Sequence, residues 1–122
     1  MDRITAAGLA LDAQLQPGRR IAVVAPRQTE ARDAMQAVAG LGYLLEGAKI
    51  RWANGNEEIK FPNGSRIIFR SGRQSLRGWS LDLVYVHPDV PRHILSEDSW
   101  KDWLAVTNPS LILRQGELIL GW

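Results

Sequence analysis

The sequence predicts an α/β fold, a three-layer sandwich whose sheet is mostly parallel with an antiparallel hairpin insertion. Three observations predict it. Arg20–Ala25 (RIAVVA) and Leu81–Val86 (LDLVYV) are short apolar runs rich in β-branched residues, the pattern of strands covered on both faces. The first run lies between two segments of helical periodicity, as an α/β unit requires. Residues 49 to 70 instead hold short strands separated by Asn54-Gly55 and Asn63-Gly64, and Asn-Gly supplies the positive φ angles of tight hairpins.

Each element follows from local chemistry. Ile4–Leu15 reads as a helix with Ile4, Ala7, Leu11 and Leu15 at helical spacing and Ala-rich sides suited to close packing, ended by Gln16-Pro17-Gly18. The strand RIAVVA stops at Pro26. Thr29 is the expected N-cap of a second helix, Glu30–Leu41, with Glu30 and Asp33 near its positive end. Ala31, Ala34, Met35, Val38 and Leu41 form its apolar stripe, and Gly40 or Gly42 closes it. Lys49–Ala53, Glu58–Phe61 and Arg66–Arg70 are the short strands, with Ile59, Phe61, Ile67 and Phe69 on one face.

Ser71–Ser80 is a loop anchored by Leu76 and Trp79. After the second buried strand, Pro88 and Pro91 restrict the chain before a helix from Ser96 or Asp98 to Val106, with Trp100, Trp103 and Leu104 on one face. Asn108-Pro109 ends that helix, and Leu111–Leu113 is left without an assigned element. Gln115-Gly116 turns into a last strand, Glu117–Gly121. With no repeat or linker, residues 1–122 form one domain.

Composition narrows the classes. Hydrophobic and charged fractions of 45% and 23% are those of an ordinary globular domain. No apolar run approaches the ~20 residues of a membrane span, so no membrane association is expected. MDRITAAGLALDAQ is too polar for a signal peptide. The absence of cysteine excludes disulfides and thiolate metal sites and fits a reducing cytoplasm. The net charge of +2 hides an uneven distribution. Residues 59–81 contain Lys60, Arg66, Arg70, Arg73 and Arg77 and no acid, while acids outnumber bases downstream. Confined basic charge points to a partner that carries phosphates.

The stretch Ile59–Pro91, IKFPNGSRIIFRSGRQSLRGWSLDLVYVHPDVP, resembles the corresponding part of phage terminase large subunits, the viral DNA-packaging ATPases, and more distantly superfamily 2 helicases. The likeness lies in the hairpin, the turn Ser75-Leu76-Arg77-Gly78 and the strand that follows. RIAVVAPRQTEARDAM resembles the family's second strand and helix, and GELILGW its coupling strand. The resemblance implies a truncated RecA/terminase-like core, expected to lack the family's first strand and phosphate-binding loop.

The same resemblance argues against catalysis. Hydrolysis in this fold requires a phosphate-cradling loop with its lysine, a hydroxyl and a strand-end aspartate for magnesium, and a glutamate for water. No GxxxxGK[ST] occurs in residues 1–122, and Asp2-Arg3-Ile4-Thr5 stands where the loop would open the helix. His87 and Pro88 occupy the magnesium-site carboxylate positions, with Asp89 one residue beyond. No catalytic residue and no cofactor are therefore expected. His87, Asp89 and His93 have a ligand-like spacing, but the flanking prolines favour a hydrogen-bonded structural histidine over a metal site.

Binding is the implied role, with three readings. The first is a non-catalytic terminase-like protein that contacts DNA through Lys60, Arg66, Arg70, Arg73, Arg77 and Trp79, or a protein through its last strand. Trp52 is a further stacking candidate, whereas Trp100 and Trp103 read as core or interface. The second is half of a split packaging ATPase, completed by a chain that bears the loop. The third is a regulator that imitates the motor domain. Leu118, Ile119, Leu120 and Trp122 would form an edge strand open to a second copy or a partner. If the protein is viral, the compartment is the cytoplasm of an infected bacterium.

Overall fold

In the computed structural model, which describes residues 1–122, α1 (Arg3–Leu15), β1 (Arg20–Ala25) and α2 (Gln28–Ala39) lead into a 3₁₀ turn at Gly42–Leu45. There follow β2 (Lys49–Arg51), β3 (Glu57–Lys60), β4 (Arg66–Ser71) and β5 (Leu83–Val86). A single π turn, Val90–Ile94, precedes α3 (Glu97–Ile112) and β6 (Glu117–Leu120). The six strands form one sheet in the order β2-β3-β4-β1-β5-β6. β4, β1, β5 and β6 are parallel, and β2, β3 and β4 form the antiparallel meander.

β1 is central, and Ile21 to Ala25 are all buried. Ile21, Val23 and Ala25 face α1 and α2, where Phe69, Ile67, Ile59 and Met35 complete the larger core. Ala22 and Val24 face the other way, joining Ile68, Val84, Val86, Leu76 and Leu111 beneath α3 and the loop before β5. A continuous apolar run is what a strand with cores on both faces requires.

Three local expectations are corrected. α1 buries Ala6, Leu9, Ala10 and Ala13, while Ile4 is 87% and Leu15 75% exposed and Leu11 is also exposed. Small alanine side chains let the helix approach its neighbours closely, so the buried face is the alanine face. The N-cap of α2 is Arg27, without a side-chain cap bond, and Thr29 lies inside the first turn. α3 runs through Pro109 to Ile112 and absorbs Leu111. The proline removes one donor, the one that would meet the Ala105 carbonyl, on a turn where both Ala105 and Pro109 are exposed.

Side chains lock the elements together at the start of β1. Asp82 accepts from the Arg20 backbone N–H at 2.8 Å and from Arg114 Nη1 at 3.0 Å. Asn63, in the β3–β4 turn, donates to the Ala13 and Gln14 carbonyls at the end of α1. Gly64 in that turn has φ 86°, the left-handed region glycine tolerates.

Candidate functional site

The sheet register gathers positive charge that the sequence scatters. Arg20 pairs with Arg66, Arg66 with Lys60, and Lys60 with Lys49. Residues in register share a face, so these four cations form one row across β1, β4, β3 and β2 on the α3 side of the sheet. Lys49 and Lys60 are exposed, and Arg20 and Arg66 are half-buried. Strands lie ~4.8 Å apart, so the row spans ~14 Å. One row further along, Arg51 lies in register with Glu58, whose carboxylate is 3.4 Å from Arg66 Nη1. Glu58 offsets one charge, and the face remains strongly basic.

Lys60 and Arg66 were legible in the sequence as candidates. Arg20 and Lys49 were not, because they sit in a charge-balanced segment and only long-range pairing brings them in.

Arg70 differs from the other arginines of the segment. It is 7% exposed. Its Nη1 donates to the Glu57 carbonyl at 2.8 Å and the Phe69 carbonyl at 2.9 Å, and the guanidinium stands 6.0 Å from the Trp79 ring. Burial lowers its pKa, against the opposing influence of Glu57 and Glu58 and with a smaller lowering by Arg51. Arg70 therefore supports the sheet and is withdrawn from the contact surface expected of it. Glu57, in register with Phe69, is fully buried, and its carboxylate oxygens have no hydrogen-bond partner within the chain.

Arg73 and Arg77 are exposed on the loop between β4 and β5, apart from the cationic row. Arg77 and the half-buried Trp79 line an open cavity of about 470 Å³ against Ala105, Val106 and Pro109 of α3. Gln74 anchors the loop, accepting from the Ser71 N–H and donating to the Gly55 carbonyl. Trp52 is exposed at the far edge, with the Arg32 guanidinium 5.4 Å from its ring. Trp100 and Trp103 stack 5.2 Å apart and pack on the smaller core.

At the tip of β5 the His87 Nδ1 accepts the Asp89 backbone N–H at 3.0 Å. The Asp89 carboxylate approaches the same nitrogen at 3.9 Å. The Trp122 ring meets the imidazole edge-on at 5.0 Å. Asp89 is followed by the π turn, with His93 Nε2 3.8 Å from its Oδ1. No three His, Asp or Glu side chains converge as a metal site.

β6 is an edge of the sheet, paired only with β5. Leu118 packs towards α3, whereas Ile119 is 41% and Leu120 52% exposed. Trp122 turns back onto His87 and the larger core, away from the row of edge residues expected of it. On the α1 side, Thr5, Gly8, Leu9, Asp12, Leu83, Tyr85 and Ile119 line an open groove of about 330 Å³.

No protein-family model matches the chain, and no curated protein matches it significantly. Solved structures do match. The large terminase ATPase domain of Thermus phage P74-26 aligns with a TM-score of 0.64 at 16% identity, over 95% of this chain and 52% of that one. A large terminase from another thermophilic bacteriophage aligns with a TM-score of 0.59 at 10% identity, over 97% of this chain and 29% of that one. The chain thus spans about half the length of the Thermus phage domain. It has the fold of phage large terminase ATPase domains.

That fold family implies a nucleotide with magnesium, and at the tip of β5 only Asp89 of this chain offers a carboxylate. The strand tip offers a proline ring and an imidazole whose Nδ1 is committed to a backbone N–H. Magnesium requires hard oxygen ligands in near-octahedral array, and neither side chain supplies one.

Proposed function

We propose that this chain is a non-catalytic, DNA-binding protein of bacteriophage type, built on the frame of a packaging-motor ATPase domain and acting in the cytoplasm of an infected bacterium. The observation that carries the binding is the register row Arg20, Arg66, Lys60 and Lys49. Its ~14 Å span covers about four 3.4 Å steps along one strand of a duplex. Backbone neutralisation of this kind is independent of base sequence. Arg73, Arg77 and Trp79 extend the contact on the loop side. DNA is favoured as the polyanion by the resemblance of Ile59–Pro91 to packaging ATPases. The non-catalytic half rests on the donor set at His87-Pro88.

Fluorescence anisotropy with a short labelled duplex tests the reading. Four phosphate contacts predict a slope of about −3.6 in log affinity against log salt. Lys49→Glu and Lys60→Glu should each weaken binding and lower the slope by about 1 or more. Affinity that does not respond to salt, or binding untouched by both substitutions, sinks the DNA reading. Sustained magnesium-dependent ATP turnover by the purified chain sinks the non-catalytic one.

A further inference from the structure

Two Asn-Gly pairs turn this chain, and the fold treats them in opposite ways. In such a pair the glycine nitrogen can attack the asparagine side-chain amide, because glycine has no Cβ to hinder the approach. At Asn63-Gly64 the fold closes that route. Asn63 Nδ2 donates to the Ala13 and Gln14 carbonyls, and its Oδ1 accepts the Ser65 N–H at 3.0 Å. The attacking group is engaged as well, since the Gly64 N–H donates to the Phe61 carbonyl.

At Asn54-Gly55 both reacting groups are uncommitted. Asn54 is exposed in the turn between β2 and β3, and its Nδ2, the leaving nitrogen, has no hydrogen-bond partner in the chain. The Gly55 N–H has none either, because the turn is closed by the Asn56 N–H on the Ala53 carbonyl. Asn54 Oδ1 accepts from Arg32 Nη1 at 2.8 Å. A charged donor there stabilises the negative oxygen that attack on the amide creates. The Gly55 carbonyl accepts from Gln74 Nε2 at 2.9 Å, and Gln74 Oε1 accepts the Ser71 N–H at 2.8 Å. One side chain thus ties the turn to the β4–β5 loop that carries Arg73 and Arg77.

We infer that Asn54-Gly55 is a site of spontaneous self-modification whose isoaspartate product loosens the loop of Arg73 and Arg77. The Gly55 nitrogen attacks Asn54 Cγ and forms a new C–N bond, giving up its proton to solvent. The bond from Cγ to Nδ2 breaks, and Nδ2 takes up a proton and leaves as ammonia. Water then opens the five-membered imide. Opening at Cγ leaves an aspartate. Opening at the main-chain carbonyl carbon leaves an isoaspartate, whose backbone runs through the side chain and is one methylene longer. No oxidant or reductant takes part. Aspartate keeps an oxygen for Arg32 and the path of the turn, whereas the longer backbone of isoaspartate carries the Gly55 carbonyl away from Gln74. Nothing in this chemistry depends on the DNA reading.

Peptide mapping by mass spectrometry, on the folded chain aged in warm, mildly alkaline buffer, measures both sites in one sample. Asn54 should convert at least about tenfold faster than Asn63, whose amide must first give up its hydrogen bonds. In urea those bonds are gone, and the two rates should agree within about threefold. Isoaspartate at position 54 is identified by an isoaspartate-specific methyltransferase. Trypsin should cut after Arg73 and Arg77 at least about threefold faster in the isoaspartate fraction than in the fresh chain, because local opening governs cleavage. Asn54→Asp, which carries the new charge on an unaltered backbone, should be cut at the parental rate. A smaller ratio between the two asparagines in the folded chain overturns the site, as does a tenfold ratio that persists in urea. Parental cleavage of the isoaspartate fraction, or equally fast cleavage of N54D, overturns the effect on the loop.

Discussion

The backbone N–H of Asp89 donates to Nδ1 of His87 at 3.0 Å, closing a turn at the point where the chain leaves β5. The same imidazole meets the Trp122 ring edge-on at 5.0 Å. The role of His87 is thereby conformational.

His87→Ala should lower stability by about 1–2 kcal/mol, through the lost acceptor and the lost aromatic contact. His87→Asn should recover part of the loss, because an Asn oxygen accepts the same N–H in an Asx turn. Urea unfolding of the three proteins measures this, and equal midpoints for all of them would contradict it.

Arg70 and Lys60 should separate stability from binding. Arg70→Met leaves the Glu57 and Phe69 carbonyls without their donor and should cost about 2–4 kcal/mol. Its DNA affinity, measured where it is folded, should stay within about twofold of the parent. Lys60→Ala should do the reverse, with near-parental stability and weaker binding. Parallel chemical denaturation and anisotropy check both halves.

Asp2 caps α1, accepting from the Thr5 backbone N–H at 2.7 Å and the Thr5 hydroxyl at 3.0 Å. The backbone bond, then the hydroxyl bond, pull its pKa below the ordinary aspartate value. A depressed folded pKa stabilises above the unfolded value, near pH 4, and loses that contribution as pH falls below it and through the folded one. Asp2→Asn keeps a capping oxygen and should show a shallower loss of thermal stability over that window. Asp2→Ala should melt lower than the parent at neutral pH. Identical pH profiles for the parent and D2N would refute the assignment.

Pro109 lies inside α3 with its ring exposed. Pro109→Ala restores the donor to the Ala105 carbonyl, partly offset by a more flexible unfolded chain, and should stabilise by about 1–2 kcal/mol. A lower melting temperature in P109A would show that the proline is needed for the path of Ser110 and Leu111 into the core.

The fold was legible where physics acts locally. RIAVVA could only be a strand with two covered faces, and Asn63-Gly64 could only be a tight turn. In α1 the alanine-rich sides were legible as close-packing surfaces, whereas the spacing of Ile4, Leu11 and Leu15 did not mark the buried face. Pro109 reads as a helix breaker when the exposure of Ala105 is unknown. The cationic row escaped because Arg20 and Arg66 are neighbours only through pairing across 46 residues. Arg70 shares a face with Arg66 by alternation, but only the fold lays the Trp79 loop over it.

The strand order also dictates a sequence of events in time. β1 is the second element of the chain, yet both its neighbours, β4 and β5, come tens of residues later. The β2–β3–β4 meander closes short loops, whereas β1 must wait for long ones, and loop closure slows as contacts become less local. The meander is thus the early template and β1 the late insertion. Pulse-labelled hydrogen exchange would then protect the amides between β3 and β4 before those between β1 and β5. A ribosome releasing this chain would expose RIAVVA for as long as residues 66–86 are unfinished.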